Sequence, residues 1–231
     1  MTTAAAGAPA ADEGLRAALE ALAAADADLA RAYREIGLPA ARPRQSGFAG
    51  LLRIITGQQV SAQAARAIVA RLEAAADPLT PESFLALDDL QLRAIGFSRQ
   101  KVVYGRALAE DVLAGRIDLA AVAAMDDEAA IAHLGRARGI GRWTAEIYLL
   151  FGLGRPDVWP ADDLAVRVAA ARLKGRSERP SRAWMMDLGE AYRPHRSAAA
   201  RFLWHFYRHP GVALGGEDAA AGGGTLAPPR R

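Results

Sequence analysis

The sequence predicts an all-α fold, and three observations predict it. Apolar positions recur at spacings of three and four, alanine and leucine are abundant, and no alternating β-branched run interrupts them. A chain of 231 residues is long enough for one large domain or two small ones sharing a core.

The punctuation sets the elements in order. A first helix runs from about Asp12 to Gly37, and a second from Ser46 to Gly57. A third starts after Val60 with Ser61 as its cap. Thr80-Pro81-Glu82 places a capping hydroxyl and then proline at the first helical position. Ser98 caps a helix through Ala114, closed by Gly115. Asp126 or Asp127 opens a helix to about Ala137, and Arg142 to Gly152 forms the next. Asp162 or Asp163 opens another, followed by Ser181–Tyr192 and His195–His209. This amounts to about ten helices. Residues 1–12 and 211–231 are rich in Ala, Gly and Pro without periodicity and read as disordered tails, leaving 13–210 as the folded part.

Composition excludes several classes. No apolar run reaches the roughly 20 residues that span a bilayer, and MTTAAAGAPA lacks the basic start and apolar stretch of a secretory signal. With no cysteine there is no disulfide, thiolate zinc site or cysteine-held iron–sulfur cluster. His133, His195, His205 and His209 show no metal-ligand spacing, so no metal is expected. The expected location is intracellular, in the cytoplasm and on DNA, with no membrane contact. Charge is uneven: residues 1–130 sum to −4 and residues 131–209 to +7. A cationic C-terminal half is the footprint of a polyanion binder, or else a solvated arginine-rich surface.

Two segments rhyme: LRAIGFSRQK around residue 96 and LGRARGIGRWTAE around residue 140, each a helix, a glycine-bearing turn and a helix. In the second, Gly139 and Gly141 flank Ile140 and permit a turn too tight for a Cβ. Ile140 can plug the space between helices while backbone N–H groups face outward toward phosphates, reading no base sequence. Alone, such a turn is an ordinary helical hairpin.

Twenty positions after Trp143 stands Asp163, in DVWPADDLAVR. The pairing of G-I-G-x-W-T-A with a downstream P-x-D-D resembles the HhH-GPD superfamily of base-excision glycosylases, and more closely the 3-methyladenine DNA glycosylase II family. FAGLLRIITGQQVSAQAA (48–65), LRAIGFSRQKVVYGRALAE (92–110) and RPHRSAAARFLWHFYRH (193–209) agree, so the resemblance covers residues 46–209. It implies a helix-hairpin-helix glycosylase fold: two helical subdomains with a cleft between them and the hairpin at about 134–152. The classic bacterial enzyme of this family carries an additional N-terminal β-rich domain, so this chain reads as a minimal all-α form.

The resemblance also implies the chemistry. Breaking an N-glycosidic bond builds positive charge on the sugar, which an ionised carboxylate stabilises while orienting water. Asp163 occupies the family's catalytic position. Its rival is Asp162, with one of the pair expected to cap the helix and the other to face the cleft. Trp143 stands where bifunctional relatives place a lysine nucleophile, so base removal without strand cleavage is expected. Trp143, Trp204 and Phe48 fall at base-pocket positions, joined by Trp159 and Tyr148; for Phe48, Trp159 and Tyr148, ordinary core packing competes. Ile147 replaces a pocket tyrosine of closer relatives. Gly139, Ile140, Gly141, Arg142, Thr144, Arg196 and Ser197 are candidate DNA contacts. Gln58 or Gln59 is the side chain that fills the gap left by the flipped base, or a polar surface turn.

The expected function is excision of alkylated purines of the 3-methyladenine and 7-methylguanine type from double-stranded DNA, by a monomer without a cofactor. A non-catalytic hairpin module and a glycosylase for neutral deaminated bases are the alternatives.

Overall fold

Asp26 breaks what periodicity reads as one long first helix. Its carboxylate accepts the N–H groups of Asp28 and Leu29, and a new helix starts there. The computed structural model describes residues 8–209, with side chains from residue 13 onward. The expected tail at 211–231 and the first seven residues of the one at 1–12 lie outside the described residues; residues 8–12 are helical.

Helices α1 (Ala8–Ala25), α2 (Ala27–Ile36), α3 (Gly47–Gly57), α4 (Ala62–Ala75), α5 (Pro81–Ala86), α6 (Asp89–Ile95) and α7 (Arg99–Leu113) come first. Then follow α8 (Leu119–Ala124), α9 (Asp127–Leu134), α10 (Arg142–Ile147), a π-helical turn (Tyr148–Gly152), α11 (Leu164–Leu173), α12 (Arg182–Ala191) and α13 (Arg196–Arg208). No strand occurs among the described residues. The elements beyond the ten expected begin at aspartates: Asp26, Asp88, which forms a capping box with Gln91, and Asp118. No helix among the described residues is long and apolar enough to cross a membrane.

The chain divides into two compact units. The first joins residues 8–43 to 155–209. In it α1 presents Leu15, Leu19 and Leu22 on one buried face, and packs on α2 and α13. α11 packs on α13, and Ala169, Ala170, Ala199 and Ala200 of the two helices are all fully buried. Asp26 staples this unit: Lys174 Nζ lies 2.6 Å from its Oδ1, and the Tyr192 hydroxyl donates to Oδ2 at 2.7 Å.

The second unit is residues 44–154. α3 is its apolar axis, burying Phe48, Leu51, Leu52 and Ile55 against α4, α7, α10 and the π-helical turn. Phe84 of α5 is fully buried and tilts against Phe48 and Phe97 with ring centroids 6.1 and 5.8 Å away.

Candidate functional site

In the first unit the turn after Trp159 delivers Asp163 to the start of α11. The Asp163 N–H donates to the Pro160 carbonyl, and its side-chain Oδ1 accepts the Val166 N–H at 2.9 Å. The same oxygen accepts the indole Nε1–H of Trp204, on α13, at 3.0 Å. Asp163 is only 3% exposed. A buried carboxylate is costly unless donors meet it, and here the Val166 N–H and the Trp204 indole N–H both donate to Oδ1 at the N-terminal end of a helix. Asp162 is about one-third exposed and pairs with Arg182 Nε at 3.1 Å. One aspartate of the pair was expected to cap the helix and the other to face the cleft, and the structure corrects the assumption that the catalytic candidate is not the cap. Asp163 itself caps α11 and is also the buried member of the pair.

Trp159 lies against Gly189, where a Cβ would come within 2.6 Å of the indole. Its Nε1–H donates to the Met185 carbonyl, and its ring meets Tyr192 edge-on. Arg196 is held by Asp157 through Nε at 2.9 Å and a second nitrogen at 3.0 Å. The Ser197 hydroxyl accepts the Val158 N–H, and Ser197 is buried. Both candidate phosphate contacts thus brace the segment that leads to Asp163. Sequence spacing cannot distinguish that role from an outward one, because the partners lie 39 residues away.

In the second unit α9 and α10 form the hairpin. Gly139 has a left-handed φ of +87°, and a Cβ there would lie 2.3 Å from the Tyr104 ring. Only glycine fits. Gly141 is different. Its φ is −85°, and nothing lies within 4 Å of where a Cβ would be. The expectation that both glycines are required by a tight turn is corrected: the fold requires Gly139 alone. Ile140 is buried, and no side chain caps α10 at exposed Gly141. Arg142 is engaged by the Glu128 carboxylate, with both guanidinium nitrogens in range, and by Glu146 at 2.9 Å. The Glu128 hydrogen bond is the leading reason its guanidinium is held protonated beyond the usual arginine range. Trp143 and Thr144 are buried in the first turn of α10.

Tyr148 is fully buried, and its hydroxyl accepts the Gly47 N–H at 2.9 Å. Burial is the main reason its phenol is pushed upward. Phe48 packs edge-on to Phe84. For Tyr148, Phe48 and Trp159 the structure therefore shows core packing.

The turn between α3 and α4 separates the two glutamines. The Gln58 side-chain nitrogen donates to Thr144 Oγ1 at 3.0 Å and faces the Gly139 carbonyl at 3.4 Å. Gln59 is exposed with φ +57°, a left-handed conformation that is uncommon for a residue with a Cβ. Lys101, absent from the sequence-based candidates, is buried and donates from Nζ to the Thr56 carbonyl at 2.6 Å, at the end of α3. Burial pulls its ammonium below the usual lysine range. No group of histidine and carboxylate side chains suited to a metal occurs among the described residues.

With this geometry in place, residues 52–194 match the family model described as HhH-GPD superfamily base excision DNA repair protein. The chain belongs to that superfamily. Among HhH-GPD relatives, it is 34% identical over 165 residues to DNA-3-methyladenine glycosylase 1 of Schizosaccharomyces pombe, covering 70% of this chain and 72% of that one. Its fold matches the S. pombe 3-methyladenine DNA glycosylase Mag1 in complex with abasic DNA, with a TM-score of 0.75 and 31% identity over 81% of this chain and 94% of that one. It also matches a DNA-3-methyladenine glycosidase from Bacillus halodurans, with a TM-score of 0.69 and 30% identity over 82% and 88% of the two chains. The all-α helix-hairpin-helix glycosylase fold read from the sequence is the fold of these relatives.

Proposed function

We propose that this HhH-GPD protein is a monofunctional DNA glycosylase that hydrolyses the N-glycosidic bond of alkylated purines in double-stranded DNA. The observation that carries this reading is the Asp163 carboxylate, buried at the start of α11 and held by the Trp204 indole. A fixed anion of this kind stabilises the oxocarbenium-like sugar as the bond to the base breaks. Water adds at C1′, the electron pair of the C1′–N bond leaves with the base, and the proton of the attacking water passes to solvent with the carboxylate orienting it.

Alkylation at a purine ring nitrogen makes the base cationic and a good leaving group, so little acid assistance is needed. The indoles of Trp204, beside the carboxylate, and Trp143, on α10, offer electron-rich faces suited to a cationic ring. Position 143 supplies no amine, which favours water as the nucleophile over a Schiff-base route. The hairpin at Gly139–Gly141 serves as the contact to backbone phosphates, and exposed Gln59 as the side chain that fills the gap left by the flipped base. The protein acts as a monomer, in the compartment that holds the cell's DNA.

The test is incubation with methylated duplex DNA followed by identification of the released bases. Release of 3-methyladenine or 7-methylguanine supports the reading. Release of hypoxanthine or uracil alone, from the matching substrates, replaces it with a glycosylase for neutral lesions.

A further inference from the structure

We propose that Gln58 is a positioning residue that ties the turn presenting Gln59 to the Gly139–Gly141 hairpin, holding the two in one register on DNA. The inference rests on the reading of the hairpin and Gln59 as DNA-contacting elements.

The two elements are far apart in sequence. Gln58 lies 81 residues from Gly139 and 86 from Thr144, yet one amide nitrogen meets both. The orientation of that amide follows from chemistry, because the Gly139 carbonyl can only accept and so must face the nitrogen. Thr144 is 2% exposed, so its link to Gln58 is shielded from competing water. Gln58 is thus committed inward while its neighbour Gln59, at φ +57°, is thrown outward. A strained non-glycine residue persists where its surroundings over-determine it. Gln58 on one side supplies such a constraint. On the other, Lys101 clamps the Thr56 carbonyl just before the turn.

The buttress is shared. α7 carries Lys101, which holds the end of α3, and Tyr104, whose ring lies where a Cβ on Gly139 would stand. The segment that rhymes with the hairpin in sequence therefore supports both the turn and the hairpin from one helix. An ordinary polar surface turn has no reason to bond a buried hydroxyl and a hairpin carbonyl across such a separation.

The test uses the full chain and compares affinity for duplex carrying a tetrahydrofuran abasic analogue with affinity for the same duplex undamaged. The ratio of the two is the readout. Gln59→Ala is expected to lower that ratio, and Gln58→Ala to lower it by about three- to tenfold, the worth of one or two net hydrogen bonds. The Gln58→Ala/Gln59→Ala double variant should fall no further than Gln59→Ala, since residues acting through one another are non-additive. Thr144→Val, which removes the buried acceptor and keeps the side-chain shape, should follow Gln58→Ala and covers the case in which Gln58→Ala folds poorly. A wild-type ratio in Gln58→Ala and Thr144→Val overturns the proposal, as does a double variant whose loss is the product of the single losses. The ratio does not depend on base release. A wild-type protein that prefers the abasic duplex but releases no base from methylated DNA contradicts the proposed activity and leaves this coupling standing.

Discussion

The indole N–H of Trp204 donates to the same oxygen of Asp163 that caps α11. One oxygen therefore ties α13 to the start of α11 and fixes the carboxylate on which the proposed chemistry depends. Trp204→Phe keeps the ring and removes the donor. Stability should fall by about 1.5–3 kcal/mol, the range for a hydrogen bond to a charged group. Single-turnover base release should slow by about ten- to a hundredfold as the carboxylate loosens. Release at the wild-type rate by a folded Trp204→Phe protein would show that the indole has no positioning role.

Asp163→Asn separates the structural from the chemical role of this residue. An amide oxygen still accepts from Val166 and Trp204, so the melting temperature should move little. It carries no charge to oppose that on the sugar, so release should drop at least about a hundredfold. Asp162→Asn loses only a half-exposed ion pair with Arg182 and should stay near wild type. An inactive Asp162→Asn beside an active Asp163→Asn would reverse the assignment.

The hairpin glycines should part company. Gly139→Val puts a branched side chain into the Tyr104 ring at φ +87° and should destabilise the fold by about 3 kcal/mol or more. Gly141→Val meets open space at an ordinary φ and should leave the denaturation midpoint close to wild type. Its branched side chain stands at the exposed mouth of α10, so affinity for undamaged duplex should still fall. Equal losses of stability in both variants would contradict this division.

Asp26 should confer a pH-dependent part of stability. Burial acts to raise its carboxyl, but hydrogen bonds from Lys174, Tyr192 and the Leu29 amide together outweigh it and leave the group below its ordinary value. A carboxyl lowered in the folded state contributes stability that is present above the unfolded value, about pH 4, and is lost as pH falls through the folded one. Asp26→Asn should therefore cost about 1–3 kcal/mol near neutral pH in urea unfolding. The gap from wild type should narrow as pH drops below about 4. A gap that stays constant down to pH 2 would contradict the electrostatic account of this staple.

Much of this was legible in the chain before any coordinates. Ser61, Thr80, Ser98, Asp126 and Ser181 all cap the helices they were expected to start, because capping is a local matter of one oxygen and nearby N–H groups. The same local rule could have found the break at Asp26, which periodicity smoothed over, and the start at Asp88 of the helix read before Gly96. Gln91, three residues after Asp88, was the available signal. What stayed hidden was tertiary. Nothing near Lys101 in sequence announces that its ammonium meets the end of α3. Nothing near Arg196 and Ser197 announces Asp157 and Val158 as partners. Gly141 and Gly139 look alike in the sequence and differ only through the neighbour that one of them has.

The most direct test of the account is a paired measurement on methylated duplex: released base and borohydride-trapped protein–DNA adduct in the same reaction. An enzyme amine that attacks the sugar forms an imine that borohydride traps, and Trp143 offers no amine. The account predicts free alkylated purine, an abasic strand cut only by later alkali or heat, no trapped adduct, and loss of release in Asp163→Asn. Strong borohydride crosslinking to the lesion strand, or undiminished release by Asp163→Asn, would contradict a water-attack glycosylase guided by Asp163.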